Sequence, residues 1–334
     1  MKLKIQFVLI LICLSGLLSS CQPKAEGTAL PAGAEITFAS WRGDNLDLYS
    51  LTSQGTVNLT ASTVQETYPA WSPDGRYLAF LSDENDQQTL GMYDSALDIW
   101  KVSDGPIALG NLPVWSPDSQ IVAFICDESN QQTICLSGYD GMLIEQFSDL
   151  PTGELGGLSW SPDSTMLLFH VVNGLDSDVY RYTLISRDVL NLTNNIGEDR
   201  SPAWSPDGHT IAFISGRGQE RGIYLLPVDT NQARLWVLAD VRDGPVWSPD
   251  GSRIAFSQII DGERRVCAAV LDESQAVCIP KDGIQPVWSP DGSSLVYESR
   301  QTKSSELYLF RLGTDQPQRL TFEKSGNFAA AWRP

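Results

Sequence analysis

The chain of 334 residues has only two histidines, His170 and His209, and neither belongs to a repeated pattern. It contains no Cys-x-x-Cys pair, no Gly-x-Ser-x-Gly elbow and no glycine-rich phosphate loop. These shortages argue against a zinc site, a serine nucleophile of the hydrolase type and a nucleotide site, because each requires those residues at close spacing. We therefore expect no catalytic residue, no bound metal and no cofactor.

Basic residues are also scarce. The sequence has 23 lysines and arginines against 41 aspartates and glutamates, which gives a net charge of −18 at pH 7. A chain this acidic has no excess of positive charge with which to bind a phosphate backbone, so we expect no nucleic-acid partner.

One apolar run precedes the rest of the chain, from Ile5 to Leu18, between two lysines and the sequence Leu18-Ser-Ser-Cys21. Its length and the small residues that follow are typical of a secretory signal, although a retained transmembrane helix is the alternative. By resemblance to bacterial lipoproteins, residues 1–20 form the signal peptide, Cys21 becomes the lipidated first residue, and residues 21–34 form a flexible tether. We expect an exported protein, facing the periplasm or the cell exterior, whose lipid is its only membrane attachment, since its acidity repels anionic headgroups.

Four further cysteines fall into two close pairs, Cys126 with Cys135 and Cys267 with Cys278. A two-residue loop at 272–273 places the second pair on opposite strands of a hairpin, and a loop at 130–131 does the same for the first pair. Because an exported protein works in an oxidising compartment, we predict two disulfides, with reduced and packed thiols as the alternative.

Tryptophan recurs about every 41 to 45 residues, and six of these tryptophans begin the run Trp-Ser-Pro-Asp, with an aromatic residue nine positions later. Each unit contains four short strand patterns, which is typical of a β-propeller blade. The repeated tryptophans are Trp71, Trp115, Trp160, Trp204, Trp247, Trp288 and Trp332.

The aspartate of each Trp-Ser-Pro-Asp run could belong to a metal or acid–base array, but the run itself explains it. Serine, proline and aspartate in this order favour a tight turn, so we interpret the six carboxylates as turn formers. Ser119 and Ser164 replace the glycine that follows the aspartate in the other four runs. A positive φ at those two positions would strain the backbone.

The two ends of the repeat array complement each other. The segments beginning at Ile36, Leu46 and Val57 match the second, third and fourth strands of a unit, and the segment around Trp332 matches a first strand. Their combination predicts an all-β, seven-bladed propeller over residues 35–334, with four-stranded antiparallel blades and one composite blade formed by both termini. Such pairing also removes open strand edges.

The runs Pro-Ala-Trp71-Ser-Pro-Asp-Gly and Pro-Ala-Trp204-Ser-Pro-Asp-Gly resemble those of TolB-type propellers, which are also found in relatives of prolyl oligopeptidase and tricorn-like proteases. The resemblance covers nearly all of residues 35–334 and implies the propeller fold. It also implies that a lyase of this group would need several metal-binding histidines, and a peptidase a separate α/β-hydrolase domain. Neither is visible here.

One face of the predicted propeller carries the loops between the second and third strands and between consecutive blades. These loops vary most between repeats, as a recognition surface does, while the Ser-Pro-Asp turns lie on the opposite face. Aromatic residues and arginines are the most frequent anchors of interfaces. The predicted binding residues are Trp41, Arg42, Tyr68, Asp199, Arg200, Arg242, Asp243 and Phe328.

From these observations we expect a monomeric, lipid-anchored propeller that binds a protein, peptide or glycan of the cell envelope, or acts as a scaffold there. The alternative from another class is a hydrolase or lyase with its active site at the mouth of the propeller channel.

Overall fold

The computed structural model describes residues 30–42, 45–85, 87–106, 112–128, 131–217, 220–230, 232–273, 276–301, 304–323 and 326–334. Over these residues the chain forms 28 strands in seven four-stranded antiparallel sheets. The sheets are the blades of a propeller, which confirms the predicted fold. Across the same ranges, no helix has the length and apolar character that crossing a membrane requires.

The blades are numbered from the amino-terminal end, and each contributes its first strand to the central channel. Blade 1 contains β1 (Ile36–Trp41), β2 (Leu46–Thr52) and β3 (Gly55–Asn58), together with β28 (Asn327–Trp332) as its first strand. Blade 2 contains β4 (Gln65–Trp71), β5 (Tyr77–Glu84), β6 (Gln87–Asp94) and β7 (Ile99–Pro106). Blade 3 contains β8 (Val114–Trp115), β9 (Ile121–Glu128), β10 (Gln131–Gly138) and β11 (Leu143–Gln146). Blade 4 contains β12 (Glu154–Trp160), β13 (Met166–Asn173), β14 (Asp176–Thr183) and β15 (Asp188–Asn191).

The remaining three blades follow the same order. Blade 5 contains β16 (Asp199–Trp204), β17 (Thr210–Ser215), β18 (Gly222–Pro227) and β19 (Arg234–Leu238). Blade 6 contains β20 (Val241–Trp247), β21 (Arg253–Ile260), β22 (Glu263–Val270) and β23 (Ala276–Cys278). Blade 7 contains β24 (Ile284–Trp288), β25 (Ser294–Ser299), β26 (Glu306–Arg311) and β27 (Gln318–Arg319).

The hydrophobic core is divided into clusters that lie between neighbouring blades. The aromatic residue nine positions after each tryptophan is buried on the second strand, as Phe213 and Tyr297 illustrate. Full burial of one such side chain contributes about 1.5–3 kcal/mol, so the repeat supplies a similar apolar contact at each junction. Trp115, Trp247 and Trp288 also donate their indole N–H to a backbone carbonyl of the preceding blade, at 2.9, 3.1 and 3.0 Å.

The Ser-Pro-Asp turns confirm the structural interpretation of their carboxylates. In the turn of blade 6, the Ser248 hydroxyl donates to Asp250 Oδ1 at 2.6 Å, and the Ser252 backbone N–H donates to the same oxygen at 3.0 Å. Hydrogen bonds from Ser248 and Ser252 lower the pKa of Asp250 to about 2. The other five turns repeat the serine–aspartate bond at 2.5 or 2.6 Å.

Ser119 and Ser164 do take positive φ values, of 62° and 60°, where the other four turns have glycine. Each compensates with a bond that glycine cannot make, because the hydroxyl accepts a backbone N–H from the preceding blade. Ser119 Oγ accepts from Asp74 at 3.1 Å, and Ser164 Oγ accepts from Asp118 at 3.2 Å.

The composite blade closes the ring as predicted. Strand β28 pairs antiparallel with β1, with Ile36 opposite Trp332. Arg333 then joins blade 1 to blade 2: its guanidinium donates to Gly75 O at 2.9 Å and lies 4.4 Å from the ring centroid of Trp71. It also bonds Glu35 at 3.1 Å.

Two residues of the predicted tether contact the propeller core. Leu30 is buried in the cluster between blades 7 and 1, and Ala34 packs against the same cluster, while the residues 31–33 between them are exposed. The domain boundary at residue 35 stays a prediction. The predicted signal peptide, residues 1–20, and Cys21 lie outside the described residues.

Both predicted disulfides are present, and one of the two predicted registers is wrong. Cys267 is opposite Cys278, as expected, with a Cα–Cα distance of 4.0 Å. Cys126 is instead opposite Thr133, and Cys135 is opposite Phe124, because β9 and β10 turn one residue earlier than expected, with Glu128 paired to Gln131. The shift makes the first pair diagonal neighbours on one face of the sheet, and their Cα atoms are still only 5.9 Å apart.

Candidate functional site

The mouth of the channel is shaped by a repeated irregularity in the first strands. Three residues before the tryptophan, six of the seven blades have a positive φ of about 50° to 93°. The pairing register with the second strand also shifts there. Proline follows this position in four of the six blades, and a residue without an N–H is tolerated at such a bulge. The six residues are Tyr68, Gly157, Ser201, Gly244, Gln285 and Ala329.

Four of these six residues are not glycine, although a positive φ costs roughly 1 kcal/mol for a residue that has a Cβ. Tyr68, Gln285 and Ala329 belong to adjacent blades of the ring, blades 2, 7 and 1, and line one cavity of about 470 Å³. Residues with a strained backbone that line one cavity are typical of a functional surface.

The cavity has apolar and polar walls. Tyr68 and Phe328, both predicted binding residues, supply aromatic surface, and Gln285, Ser305 and Glu298 supply polar groups. Glu298 is buried, and its carboxylate accepts a hydrogen bond from Ser305. The largely exposed Arg300 side chain lies 3.6 Å from Glu298 and also lines the cavity. Such a wall suits a ligand with an apolar side chain and a few polar groups.

Blades 5 and 6 present ion pairs on the same face. Asp199 is buried and binds Arg217 at 2.9 Å. Burial raises the pKa of Asp199, while Ser215 and Arg217 partly oppose the rise. Arg242 pairs with Asp240 at 2.7 Å.

Asp243, another predicted binding residue, accepts a hydrogen bond from Ser257 and lies 3.8 Å from Arg264. Asp199, Arg242 and Asp243 thus all have partners within the propeller. Whether any of the three contacts a ligand stays a prediction.

Arg200 differs from its neighbours. Among the residues that the structure describes, no carboxylate forms an ion pair with its guanidinium, and its Nε is buried without a hydrogen-bond partner. It lies near His170, whose pKa falls to about 4 through burial and the positive charge of Arg200. His170 is therefore neutral at pH 7, and its Nδ1 accepts the Ser201 backbone N–H at 3.4 Å. Arg200 is a cation available to an anionic group of a ligand.

Two predicted residues, Trp41 and Arg42, lie next to each other where the first loop of blade 1 begins. Trp41 is 38% exposed at the end of β1. Arg42 lies 4.4 Å from the ring centroid of Tyr49, donates from Nε to Ser40 Oγ at 3.2 Å and lies 3.9 Å from Glu323, so its guanidinium already has contacts within the propeller. The next two residues of this loop lie outside the described ranges.

Carboxylates at the start of the third strand support this face, buried in blades 1 and 7 and half-buried in blade 4, and none of them was among the predicted residues. Asp47 accepts hydrogen bonds from Asn45 at 3.1 Å and from Asn58 at 2.7 Å. Equivalent contacts recur in blades 4 and 7: Asp178 accepts from Asn191 at 2.8 Å, and Glu306 from Arg319 at 2.6 Å.

These contacts anchor the loops that lead into the next blade. Thr193 and Thr321, each two residues after the end of a fourth strand, donate to the carboxylates of Asp178 and Glu306, at 3.1 and 2.6 Å. Asn327 at the start of the next first strand also donates to Glu306, at 3.0 Å. A repeated sequence pattern marks these carboxylates. Each acidic residue lies two positions before a tyrosine, and 11 or 13 residues after the acid comes Asn or Arg followed by Leu-Thr.

Metal ligands are not grouped in the described part of the chain, where no cluster of three or more His, Cys, Asp or Glu side chains could hold an ion.

Among protein families, the TolB beta propeller domain matches residues 107–283. This match covers just over half of the chain. Among curated proteins, the Tol-Pal system protein TolB of Francisella tularensis subsp. mediasiatica is 28% identical over 102 residues, which are 29% of this chain and 23% of that protein. The match therefore spans less than a quarter of the length of this curated relative.

Solved structures share the fold over most of the chain. TolB from Acinetobacter baumannii superposes with a TM-score of 0.58 at 21% identity, covering 90% of this chain and 82% of that one. An oligogalacturonate lyase in complex with manganese gives a TM-score of 0.66 at 15% identity, covering 88% and 87%. At these identities the likeness concerns the fold alone, since propellers host unrelated activities.

Proposed function

The chain belongs to the TolB beta propeller domain family, and from this premise we propose that it is a binding or scaffold propeller of the bacterial cell envelope. The proposal has it exported, monomeric and anchored by a lipid on Cys21, with its channel mouth taking up a segment of an envelope protein or a peptide. The observation that carries the binding role is the cavity of about 470 Å³, which is lined by residues of three adjacent blades that have a positive φ.

Three observations support the location. The two disulfides favour an oxidising compartment. The amino-terminal run and Leu18-Ser-Ser-Cys21 have the form of a lipoprotein signal. The curated relative is named as a Tol-Pal system protein, and we extend to this chain only a role in the envelope.

The lipid anchor is tested by Cys21→Ala. We expect the variant to lose incorporation of labelled palmitate and to remain uncleaved or mislocalised, because Cys21 is the residue at which processing and lipidation are predicted. Labelling and membrane retention equal to those of the parent would exclude the anchor at this residue.

The ligand chemistry follows from the cavity and from Arg200. Tyr68 and Phe328 line the cavity and provide apolar and aromatic contact. Arg200, on the first strand of blade 5 and not among the residues that line this cavity, provides a cation for a carboxylate. We therefore propose a peptide segment that carries an apolar residue and an acidic residue. A neutral glycan would use the aromatic wall but would leave Arg200 without a partner.

Site-specific photocrosslinking tests the face. A benzoylphenylalanine at Tyr68 should crosslink a partner in intact cells, while the same residue at Gln120, in an exposed turn on the opposite face, should not. Alanine at Tyr68, Arg200 or Phe328 should then weaken binding of the captured partner by about 2 kcal/mol, roughly thirtyfold, without unfolding the domain. Asp207→Ala is the matched control, because it removes a turn carboxylate. Crosslinks from Gln120 and loss of binding in the turn variant would show that the partner binds the opposite face.

The alternative function is a hydrolase or lyase with its active site at the same channel mouth. A manganese-bound lyase shares the fold of this chain, so this alternative is tested as well. The purified domain should show no turnover in hydrolase and polysaccharide-lyase screens, with or without Mn²⁺. Turnover that disappears in both the Tyr68→Ala and Arg200→Ala variants would replace the binding proposal with an enzymatic one.

A further inference from the structure

The outer edge of blade 2 differs from that of the other blades. Its fourth strand, β7, has eight residues, whereas the fourth strands of the other six blades have two to five. It forms the free edge of its sheet, so alternate backbone N–H and C=O groups point away from β6. Proteins usually keep such edges short or charged, and between Ile99 and Ser103 this one carries a single charge, on Lys101.

Apolar side chains are exposed along this edge and on the hairpin of blade 3 beside it. Val102 on β7 is 55% exposed, and Met142 and Leu143 on the β10–β11 hairpin are 68% and 60% exposed. Ile99 and Tyr139 are exposed as well. Scattered single apolar residues are ordinary on a surface, but a contiguous group marks an interaction site.

The group is contiguous because two cavities join it. The larger, about 690 Å³, lies between β7 and the disulfide-bearing strands of blade 3, and Val102, Met142 and Leu143 line it. The smaller, about 260 Å³, is lined by Ile99 and Tyr139. Lys101 and Asp140 line both cavities, so they form one groove, which we call the blade 2–3 groove. A concave groove beside a free strand edge suits an extended polypeptide better than a flat surface.

Charge decides what kind of polypeptide fits. Asp127 and Asp140 line the larger cavity, where Lys101 is the only basic residue among the lining residues. In the smaller cavity Arg76 is paired with Asp94 at 2.8 Å, so the groove lining has one more acidic than basic side chain. A second copy of this chain would bring its own net charge of −18 and place β7 against β7, so self-pairing is opposed by repulsion. The groove lining favours a strand with basic flanks.

We propose that the blade 2–3 groove binds an extended segment of another protein, which adds to β7 as a fifth strand. The segment is apolar at alternate positions, to fill the two cavities, and basic at its flanks, to meet the acidic groove lining. Main-chain hydrogen bonds to β7 hold the strand, and the two cavities select its side chains. This site is separate from the channel mouth, and its test does not depend on the binding role proposed there.

The test uses a labelled seven-residue probe peptide, Lys-Val-Thr-Val-Thr-Val-Lys, with binding followed by fluorescence anisotropy on the whole exported domain. We expect Val102→Lys and Met142→Lys each to weaken binding about tenfold or more, because each places a charge where the strand must pack. Val57→Lys is the matched control: Val57 is an exposed valine on β3, the fourth strand of blade 1. It adds the same charge at another outer edge and should leave the affinity unchanged.

Two further measurements separate the alternatives. The probe should slow hydrogen exchange in peptides that cover Ile99–Ser103, and a version N-methylated at alternate amides should not. A probe with Glu in place of both Lys should bind more weakly.

Equal weakening by all three lysine variants, or no protection of β7, would overturn strand addition. Equal binding of the Glu probe would overturn the charge preference. Sedimentation that shows a dimer abolished by Val102→Lys would make a second copy the occupant, contrary to the proposal.

Discussion

Glu66 offers a direct test of how the loops above the channel are held. Its side chain is only 3% exposed at the start of blade 2, two residues before Tyr68 of the cavity. Ser62 donates a hydrogen bond to one carboxylate oxygen, and the other is buried without a partner. Burial is the main cause that raises the pKa of Glu66 from 4.5 to about 7; the hydrogen bonds oppose it and the nearby Asp47 carboxylate adds to it.

The sign and size of the effect follow from proton linkage. A carboxyl whose pKa is higher in the folded state binds its proton more tightly there, so folding is favoured at low pH. This contribution is fully present below about pH 4.5 and is lost as pH rises through about 7. A pKa shift of that size changes the free energy of unfolding by roughly 3 kcal/mol.

Glu66→Gln keeps the shape and an acceptor for Ser62 but cannot ionise. We expect the variant to match the parent near pH 4.5 and to exceed it by roughly 3 kcal/mol near pH 8. Urea unfolding at half-unit pH steps measures the difference, and Glu154→Gln, at an exposed position on β12, is the control. Parallel pH profiles for parent and Glu66→Gln would refute the assignment of a buried, weakly solvated carboxyl.

Three other outcomes are expected from urea unfolding. Trp247→Phe should lower the free energy of unfolding by about 1 kcal/mol more than Trp204→Phe, because the indole N–H of Trp247 donates to the preceding blade and that of Trp204 has no partner. Equal losses in the two variants would contradict this. Replacing both cysteines of the blade 3 disulfide with serine should cost about 2–3 kcal/mol, and reductant should bring the parent down by a similar amount. Arg333→Ala should cost about 2 kcal/mol because it removes bonds between blades 1 and 2, whereas the exposed Arg187→Ala should cost less than about 1 kcal/mol; similar costs would mean that Arg333 does not join the blades.

The architecture was predictable from the sequence because several local rules agree in every repeat. The Ser-Pro-Asp run specifies a turn, the tryptophan before it and the aromatic nine residues later specify two packed strands, and the structure has all three in each of the six units. The composite blade was predictable for the same reason, since each end supplied the strands that the other lacked.

Pairings across space were harder to predict. The loop between Cys126 and Cys135 admits more than one two-residue turn, and moving the turn by one residue changes the opposing partner by two. Asp199 and Arg42 were predicted from their residue type and their place in the variable loops, and a sequence does not show that Arg217 or Tyr49 already contacts them. The missed carboxylates, such as Asp47, repeat with a tyrosine and a Leu-Thr pair, so comparing third strands would have revealed them.

The carboxylates that hold the bases of these loops determine which loop residues can be redesigned. In blades 1, 4 and 7 the carboxylates at Asp47, Asp178 and Glu306 hold the base of the loop that enters the next blade. In the loop after blade 4, Asn194 and Asn195 join these bonds through their backbone N–H groups, at 2.9 and 3.3 Å, and the side chain of Ile196 is 93% exposed. A library for new ligand specificity is therefore best placed in this loop, with Asp178 and its Asn191 and Thr193 donors kept constant.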